Sequence, residues 1–258
     1  TLKNKVTSLG IGKNSYITGA YATYVGQEIG KFYGWVYEGI ARTQDELDGH
    51  ATQQGANVGD CLYKDISGPN GEPDGVIDAY DQTVLGSGLP KVNFGLSTHM
   101  EYKGFDLNIS TYGVLNYHVS DDIYNSLNSC YGYGNKEVGM LDANRWSEDG
   151  STYLSSVPRT YAANNATLGW NDLFSSRKIQ NAAYWKIANV ELGYNFPDKW
   201  FGGYVSGVRL YVSAQNLYTF TGYHGYNVDY AGGTFTPGYN FCSFPSARTF
   251  MCGLHFTF

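Results

Sequence analysis

The sequence predicts an all-β protein, a set of antiparallel transmembrane β-barrel strands with long loops at one end. Three observations lead there. Apolar and polar residues alternate with period two through five segments of near-spanning length. The connections between these segments are by turns very short and very long. Aromatic residues gather near the segment ends, at Tyr184, Trp185, Phe196, Trp200, Tyr218, Phe220 and Phe258.

Composition points the same way. Of 258 residues, 42% are hydrophobic and only 16% charged, against roughly 25% charged in soluble domains. The formal charge of −6 argues against the basic face that a nucleic-acid binder needs. No apolar run approaches the ~20 residues of a membrane helix, and mean hydropathy is −0.34. A membrane strand, however, needs only ~9–11 residues and hides its apolar half by alternation. The chain opens on Thr1 with no signal peptide, so it reads as a mature or excised segment.

In segment 92–102, Val92, Phe94, Leu96, Met100 and Tyr102 oppose Asn93, Gly95, Ser97, His99 and Glu101. A tight turn at Lys103-Gly104 leads into 104–115, where Phe105, Leu107, Ile109 and Leu115 oppose Asp106, Asn108, Ser110 and Tyr112. Segment 189–196 sets Val190, Leu192, Tyr194 and Phe196 against Asn189, Glu191, Gly193 and Asn195. The short PDKWFGGYVSG connects it to 208–220, where Val208, Leu210, Val212, Ala214, Tyr218 and Phe220 oppose Arg209, Tyr211, Ser213, Gln215 and Thr219. Segment 247–258 ends the chain with Phe250, Cys252, Leu254, Phe256 and Phe258 on its apolar side. An aromatic end fits a closed barrel, because lipid offers no partner to an unpaired strand edge. The stretches 11–91, 117–183 and 221–246 are left as long loops. A soluble sandwich strand shows the same alternation, but compact soluble domains rarely carry several loops of this length.

The four cysteines lack metal-ligand spacing. Cys61, Cys130 and Cys242 are disulfide candidates in an oxidising compartment, with inert thiols as the alternative. There is no HExxH, GxSxG, P-loop or Rossmann fingerprint. The five histidines are scattered, and His99 and His255 fall on polar strand positions.

Several stretches in series, VGQEIGKFYGWVYEGI (25–40), GDCLYKDISG with DGVIDAYDQTVLGSGLPKVNFGL (59–96), YWKIANVELGYNFP (184–197), VRLYVSAQNLYTFTGY (208–223) and PSARTFMCGLHFTF (245–258), resemble the closing part of SusC/RagA-type TonB-dependent outer-membrane transporters. The resemblance implies the last strands of a barrel of about 22 strands with a plugged lumen. It implies import of oligosaccharides or peptides in the bacterial outer membrane, with a SusD-like surface lipoprotein over the mouth and energy from the TonB complex. It also implies that the terminal aromatics Phe256 and Phe258 act as a barrel-assembly signal. Plug and amino-terminal half are absent, so the remaining barrel and plug of the same transporter become partners. With NKVTSLG (4–10) as the end of a sixth strand and the carboxy-terminus periplasmic, all three long loops fall outside the cell.

The acidic stretch NGEPDGVIDAYD (70–81) is a calcium candidate of EF-hand type. Asn70, Glu72, Asp74, the Val76 carbonyl and Asp81 hold positions 1, 3, 5, 7 and 12, with Gly75 at the turn and Asp78 at position 9. Asp65 and Ser67 are alternative first ligands, and hard oxygens without His or Cys suit calcium. A solvated acidic turn explains the same residues. In the Tyr- and Gly-rich 221–241 stretch, Tyr223, Tyr226, Tyr230 and Tyr239 are candidate substrate or partner contacts at the mouth. A secreted glycan-binding adhesin or lectin-like module is the alternative function, and catalysis is not expected.

Overall fold

The computed structural model describes residues 5–9, 14–129, 135–138, 145–147, 155–160, 169–201, 205–229, 232–241 and 243–257. In chain order the strands are β1 (Ser15–Thr18), β2 (Tyr21–Tyr24), β3 (Lys31–Gly34), β4 (Tyr37–Ile40), β5 (Cys61–Tyr63), β6 (Thr83–Ser87), β7 (Val92–Tyr102), β8 (Phe105–Leu115), β9 (His118–Asp121), β10 (Gln180–Asn181), β11 (Tyr184–Phe196), β12 (Gly207–Thr221), β13 (Tyr239–Asn240) and β14 (Thr249–Thr257). Two short helices, α1 (Gln44–Asp48) and α2 (Asp122–Leu127), lie in the long connections. The chain divides into a loop unit (Thr1–Leu89, His118–Gln180 and Tyr230–Cys242) and a sheet unit (Pro90–Tyr117, Asn181–Asp229 and Ser243–Phe258).

The sheet unit is a five-stranded antiparallel meander in the order β14-β12-β11-β8-β7. The β7–β8 hairpin closes through Lys103 and Gly104 at φ 50° and 90°. Two successive positive φ values make the type I′ turn whose twist matches antiparallel strands. Register carries the alternation across the sheet. Met100, Leu107, Leu192, Val212 and Cys252 form one row, and Glu101, Asp106, Gly193, Tyr211 and Gly253 form the next. Adjacent rows point to opposite faces.

One irregularity changes a sequence expectation. Pairing shifts between Ile187 and Asn189, so Ala188 is an extra residue against β8. A one-residue slip exchanges the two faces. It puts Tyr184 and Lys186 on the polar face and Trp185 on the apolar one. Tyr184, expected in an aromatic girdle, instead packs edge-on to Tyr112 on the polar side.

Residues 5–9 form no strand, contrary to the expected sixth. Val6 donates to the Gln27 carbonyl at 2.9 Å and accepts from Gly26 at 2.8 Å. With only Val6 and Leu9 apolar, this stretch presents no continuous face to a sheet.

The long connections are folded. In the loop unit, β1-β2-β3-β6 make an antiparallel sheet, β4 pairs with β5, and β13 pairs with β9 in parallel. Phe32 is fully buried, with the rings of Tyr21 at 5.2 Å and Phe174 at 6.1 Å. Cys61, Tyr63 and Ile77 form a second cluster, flanked by Trp35, Tyr37, Trp170 and Leu173. A core of this size accounts for the loops' abundant tyrosine and tryptophan.

Candidate functional site

The apolar face of the sheet is exposed from one side strand to the other. Phe94, Leu96, Met100, Phe105, Leu192, Leu210, Val212, Phe250, Leu254 and Phe256 all lie open, Leu192 at 44% and Phe250 at 69%. Monomeric soluble proteins rarely leave so large a contiguous apolar patch. Aromatic groups close it at both ends. At the long-loop end Trp185 stacks on Phe220 at 5.3 Å, with Tyr218 at 4.6 Å from Phe220. At the short-turn end Phe105, Tyr194, Phe196 and Trp200 form a chain of ring contacts between 4.6 and 5.9 Å. At ~3.3 Å per residue, the eleven steps from Trp185 to Phe196 cover ~36 Å of strand, or ~28 Å of bilayer at a ~40° tilt. That height suits the hydrocarbon band of an outer-membrane barrel.

The polar face carries an ion network. Arg209 donates to both carboxylate oxygens of Asp106, at 2.9 Å from Nε, and to Glu191 at 2.7 Å. Asn195 donates to Asp106 at 3.0 Å. His99 lies 2.6 Å from Asn108 and 3.0 Å from Glu101, as its polar strand position implies. A charged row on one face and bare hydrocarbon on the other is the division expected between lumen and lipid.

At the long-loop end a strap follows β12. Within it Tyr223 and Val228 are buried. Asp229 accepts from Lys186 at 2.6 Å and from the Tyr112 hydroxyl at 3.1 Å. Asn227 accepts from the Asp229 N–H and donates to the Phe244 carbonyl. A cavity of about 210 Å³ lies between strap and sheet, lined by Lys186, Thr219, Tyr226, Asn227, Pro245 and Ser246 among others.

In the loop unit the acidic 65–81 segment is organised by backbone N–H groups. Asp81 is fully buried; one oxygen accepts from Ile66 (2.7 Å) and Ser67 (3.2 Å), the other from Asp78 (2.8 Å). Asp78 caps Tyr80, and Asp74 accepts from Val76. Asp65 accepts from Gly75 at 2.7 Å through one oxygen, and its other oxygen is buried with no hydrogen-bond partner. Asn70 and Glu72 are exposed. Among the described residues no three His, Cys, Asp or Glu side chains gather to hold a metal. Both oxygens of Asp81 are committed to backbone N–H groups, whereas Asp65 keeps one oxygen without a hydrogen-bond partner.

Sequence reasoning passed over a second buried centre. Arg159 grips Asp60 at 2.6 and 2.9 Å, and Asn171 donates to Asp60 at 2.7 Å. Asn171 also accepts from the Cys61 N–H at 2.7 Å, and Gln53 spans the Cys61 carbonyl and the Tyr63 N–H. This network pins the stretch around Gln53–Tyr63 to Arg159 and Asn171. No local spacing could reveal it, since Asp60 lies 99 residues from Arg159 and 111 from Asn171.

The expected mouth tyrosines fare differently. Tyr226 is 63% exposed at the cavity rim, whereas Tyr223 is buried to 6% and so packs rather than contacts. Tyr239 is half-buried in β13 of the loop unit, and Tyr230 lies outside the described residues. Phe256 is exposed on the apolar face opposite Val208, while Phe258 lies outside the description. Cys61 is buried in the loop-unit core; Cys130 and Cys242 lie outside the described residues. Cys252 is an exposed thiol on the apolar face.

No protein-family model matches the chain. It is 30% identical to the TonB-dependent receptor P3 of Formosa agariphila, over 99% of this chain and 26% of that protein. It is 26% identical to the TonB-dependent receptor SusC of Bacteroides thetaiotaomicron, over 76% of this chain and 19% of SusC. Among solved structures, the RagAB peptide transporter superposes with a TM-score of 0.75 at 21% identity, over 98% of this chain and 25% of that one. The chain thus spans about a quarter of the length of the relatives it matches. With an exposed apolar face and a polar opposite face, the chain has the fold of part of the RagA barrel and is similar over nearly its whole length to a stretch of TonB-dependent receptors, SusC among them.

Proposed function

We propose that this chain is part of the wall and external loops of a TonB-dependent importer in the bacterial outer membrane. The cargo is oligosaccharide or peptide, and the protein acts by shape and gating without bond chemistry. The observation that carries this reading is the apolar face, exposed across five strands and bounded by aromatics at both ends. The relatives support it: one is named SusC and another a peptide transporter. A SusD-like surface lipoprotein caps the loop end, and the TonB complex acts through a plug supplied by the rest of the transporter. Loops 11–91, 117–183 and 221–246 are extracellular, the carboxy-terminus is periplasmic, and Phe256 and Phe258 form the assembly signal. Support comes from the hairpin geometry, since both short turns leave the sheet at the end opposite the long loops.

A structural calcium ion is a separate proposal. Asp65 and Asp74 would supply its carboxylates, supported by the partnerless buried oxygen of Asp65. The ion would brace the loop.

The test is the mass and location of the native polypeptide. The reading expects an outer-membrane protein several times heavier than 28.5 kDa. A 28.5 kDa polypeptide in the soluble fraction would overturn it.

A further inference from the structure

We infer that Lys186 and Tyr112 form a carboxylate-accepting site on the polar wall, that Asp229 fills it as an internal stand-in, and that a carboxylate borne by cargo displaces Asp229. This rests on the import reading above.

The two halves of the ion pair are placed very differently. Lys186 belongs to β11, which is hydrogen-bonded to a strand on each side, and its side chain is only 4% exposed. Asp229 lies in the strap beyond β12, and its side chain is 26% exposed. The cation is fixed and shielded; the anion is delivered by a loop. A buried ammonium needs an acceptor at all times, but nothing requires that acceptor to come from the strap.

The site distinguishes a carboxylate from a single oxygen. Lys186 Nζ donates to Oδ2 at 2.6 Å while the Tyr112 hydroxyl donates to Oδ1 at 3.1 Å. The Tyr184 side chain hydrogen-bonds Asp229 as well, and a charged donor with two phenols around two oxygens is an arrangement that recognises RCOO⁻. The Tyr112 ring also lies 5.8 Å from the ammonium, adding attraction for the cation but none for the anion.

The cavity alongside supplies the second observation. Its roughly 210 Å³ opens directly onto Lys186, with Thr219, Asn227 and the exposed Tyr226 around it. The rest of a small cargo unit can lie there while its carboxylate takes the place of Asp229. A purely structural tether would have no use for the adjoining space. The shared chemistry is a carboxylate, from a peptide carboxy-terminus or from a uronic acid.

The experiment uses the full-length transporter in detergent and titrates two matched pairs of probes. One pair is acetyl-dialanine and its amide; the other is glucuronate and its methyl ester. Removing an internal competitor raises apparent affinity by the inverse of the open fraction, so a strap open about a tenth of the time gives a gain of about tenfold. Asp229→Asn should therefore bind at least one of the acids about tenfold more tightly than wild type, with its neutral partner unchanged. Adding Lys186→Met should abolish that preference, and Tyr112→Phe, a milder change, should reduce it. The pair that responds identifies the carboxylate's source. Equal binding of acid and neutral probes by Asp229→Asn, or none of either, overturns the inference. Import is scored separately: transporter-dependent nutrient uptake with no acid preference leaves the import reading standing, whereas acid preference without transporter-dependent uptake removes that reading alone.

Discussion

Arg209 on β12 reaches Asp106 on β8 across the strand between them, passing over Gly193 of β11. A Cβ at Gly193 would collide with both the carboxylate and the guanidinium. The glycine is therefore the gap through which the two strands are clamped. Only 5% of the Asp106 side-chain surface is exposed, and Arg209 is the cation it is paired with.

Replacing Arg209 with Met should destabilise the barrel by about 3 kcal/mol, because it leaves a buried carboxylate without its cation. Gly193→Ala should reproduce much of that loss with both charges present. Urea unfolding of the full transporter in detergent measures both. An effect below about 0.5 kcal/mol for Arg209→Met, the range of ordinary surface changes, would show that the pair contributes little.

Asp60 makes the corresponding prediction for the loop unit. Arg159→Met should open the segments around Gln53–Tyr63 and Asn171 together, at a cost of about 3 kcal/mol. Hydrogen exchange would show the Cys61 and Tyr63 amides losing protection in concert. Loss confined to the neighbourhood of residue 159 would mean that the network does not couple them.

The acidic loop separates a hydrogen-bonding role from a metal role. Asp81→Asn removes one acceptor from a carboxylate that serves three N–H groups, and should cost about 1–3 kcal/mol whether or not chelator is present. Asp65→Asn and Asp74→Asn should instead weaken any calcium-dependent protection of the loop against protease. If calcium protects the Asp65→Asn, Asp74→Asn double variant as well as wild type, the ion proposal falls.

Tyr21 predicts a pH effect. Burial and the neighbouring Tyr239 push its phenol well above the ordinary tyrosine range, and its hydroxyl oxygen is buried with no hydrogen-bond partner. The folded state thus holds this proton more tightly than the unfolded state. Stability is unaffected below the unfolded pKa of about 10 and falls as pH rises above it. Tyr21→Phe should reduce that alkaline loss and cost little at neutral pH, followed by thermal unfolding between pH 8 and 11. A steeper alkaline decline in the variant would contradict the assignment.

Much of the sheet was legible because alternation is a local signal. The faces of Leu192 and Glu191, the turn at Lys103-Gly104 and the outward Cys252 all follow from period two. The bulge at Ala188 was not legible, since one inserted residue leaves no mark in composition, and it moved Tyr184 from the expected girdle to the polar wall. The loops hid more. Asp60, Arg159 and Asn171 meet only after the chain folds, and Asp229 finds Lys186 across forty-three residues. Spacing motifs drew attention to Asp81 as a ligand, whereas burial commits it to the backbone.

The most direct test of the whole account is where water ends and lipid begins on β11. Leu192→Cys and Glu191→Cys, each carrying a nitroxide in the full-length transporter in bilayers, sit side by side on opposite faces. The label at 192 should be relaxed by dissolved oxygen and shielded from an aqueous nickel chelate, with the reverse at 191. Equal access of the nickel chelate to both labels would contradict a membrane-facing sheet.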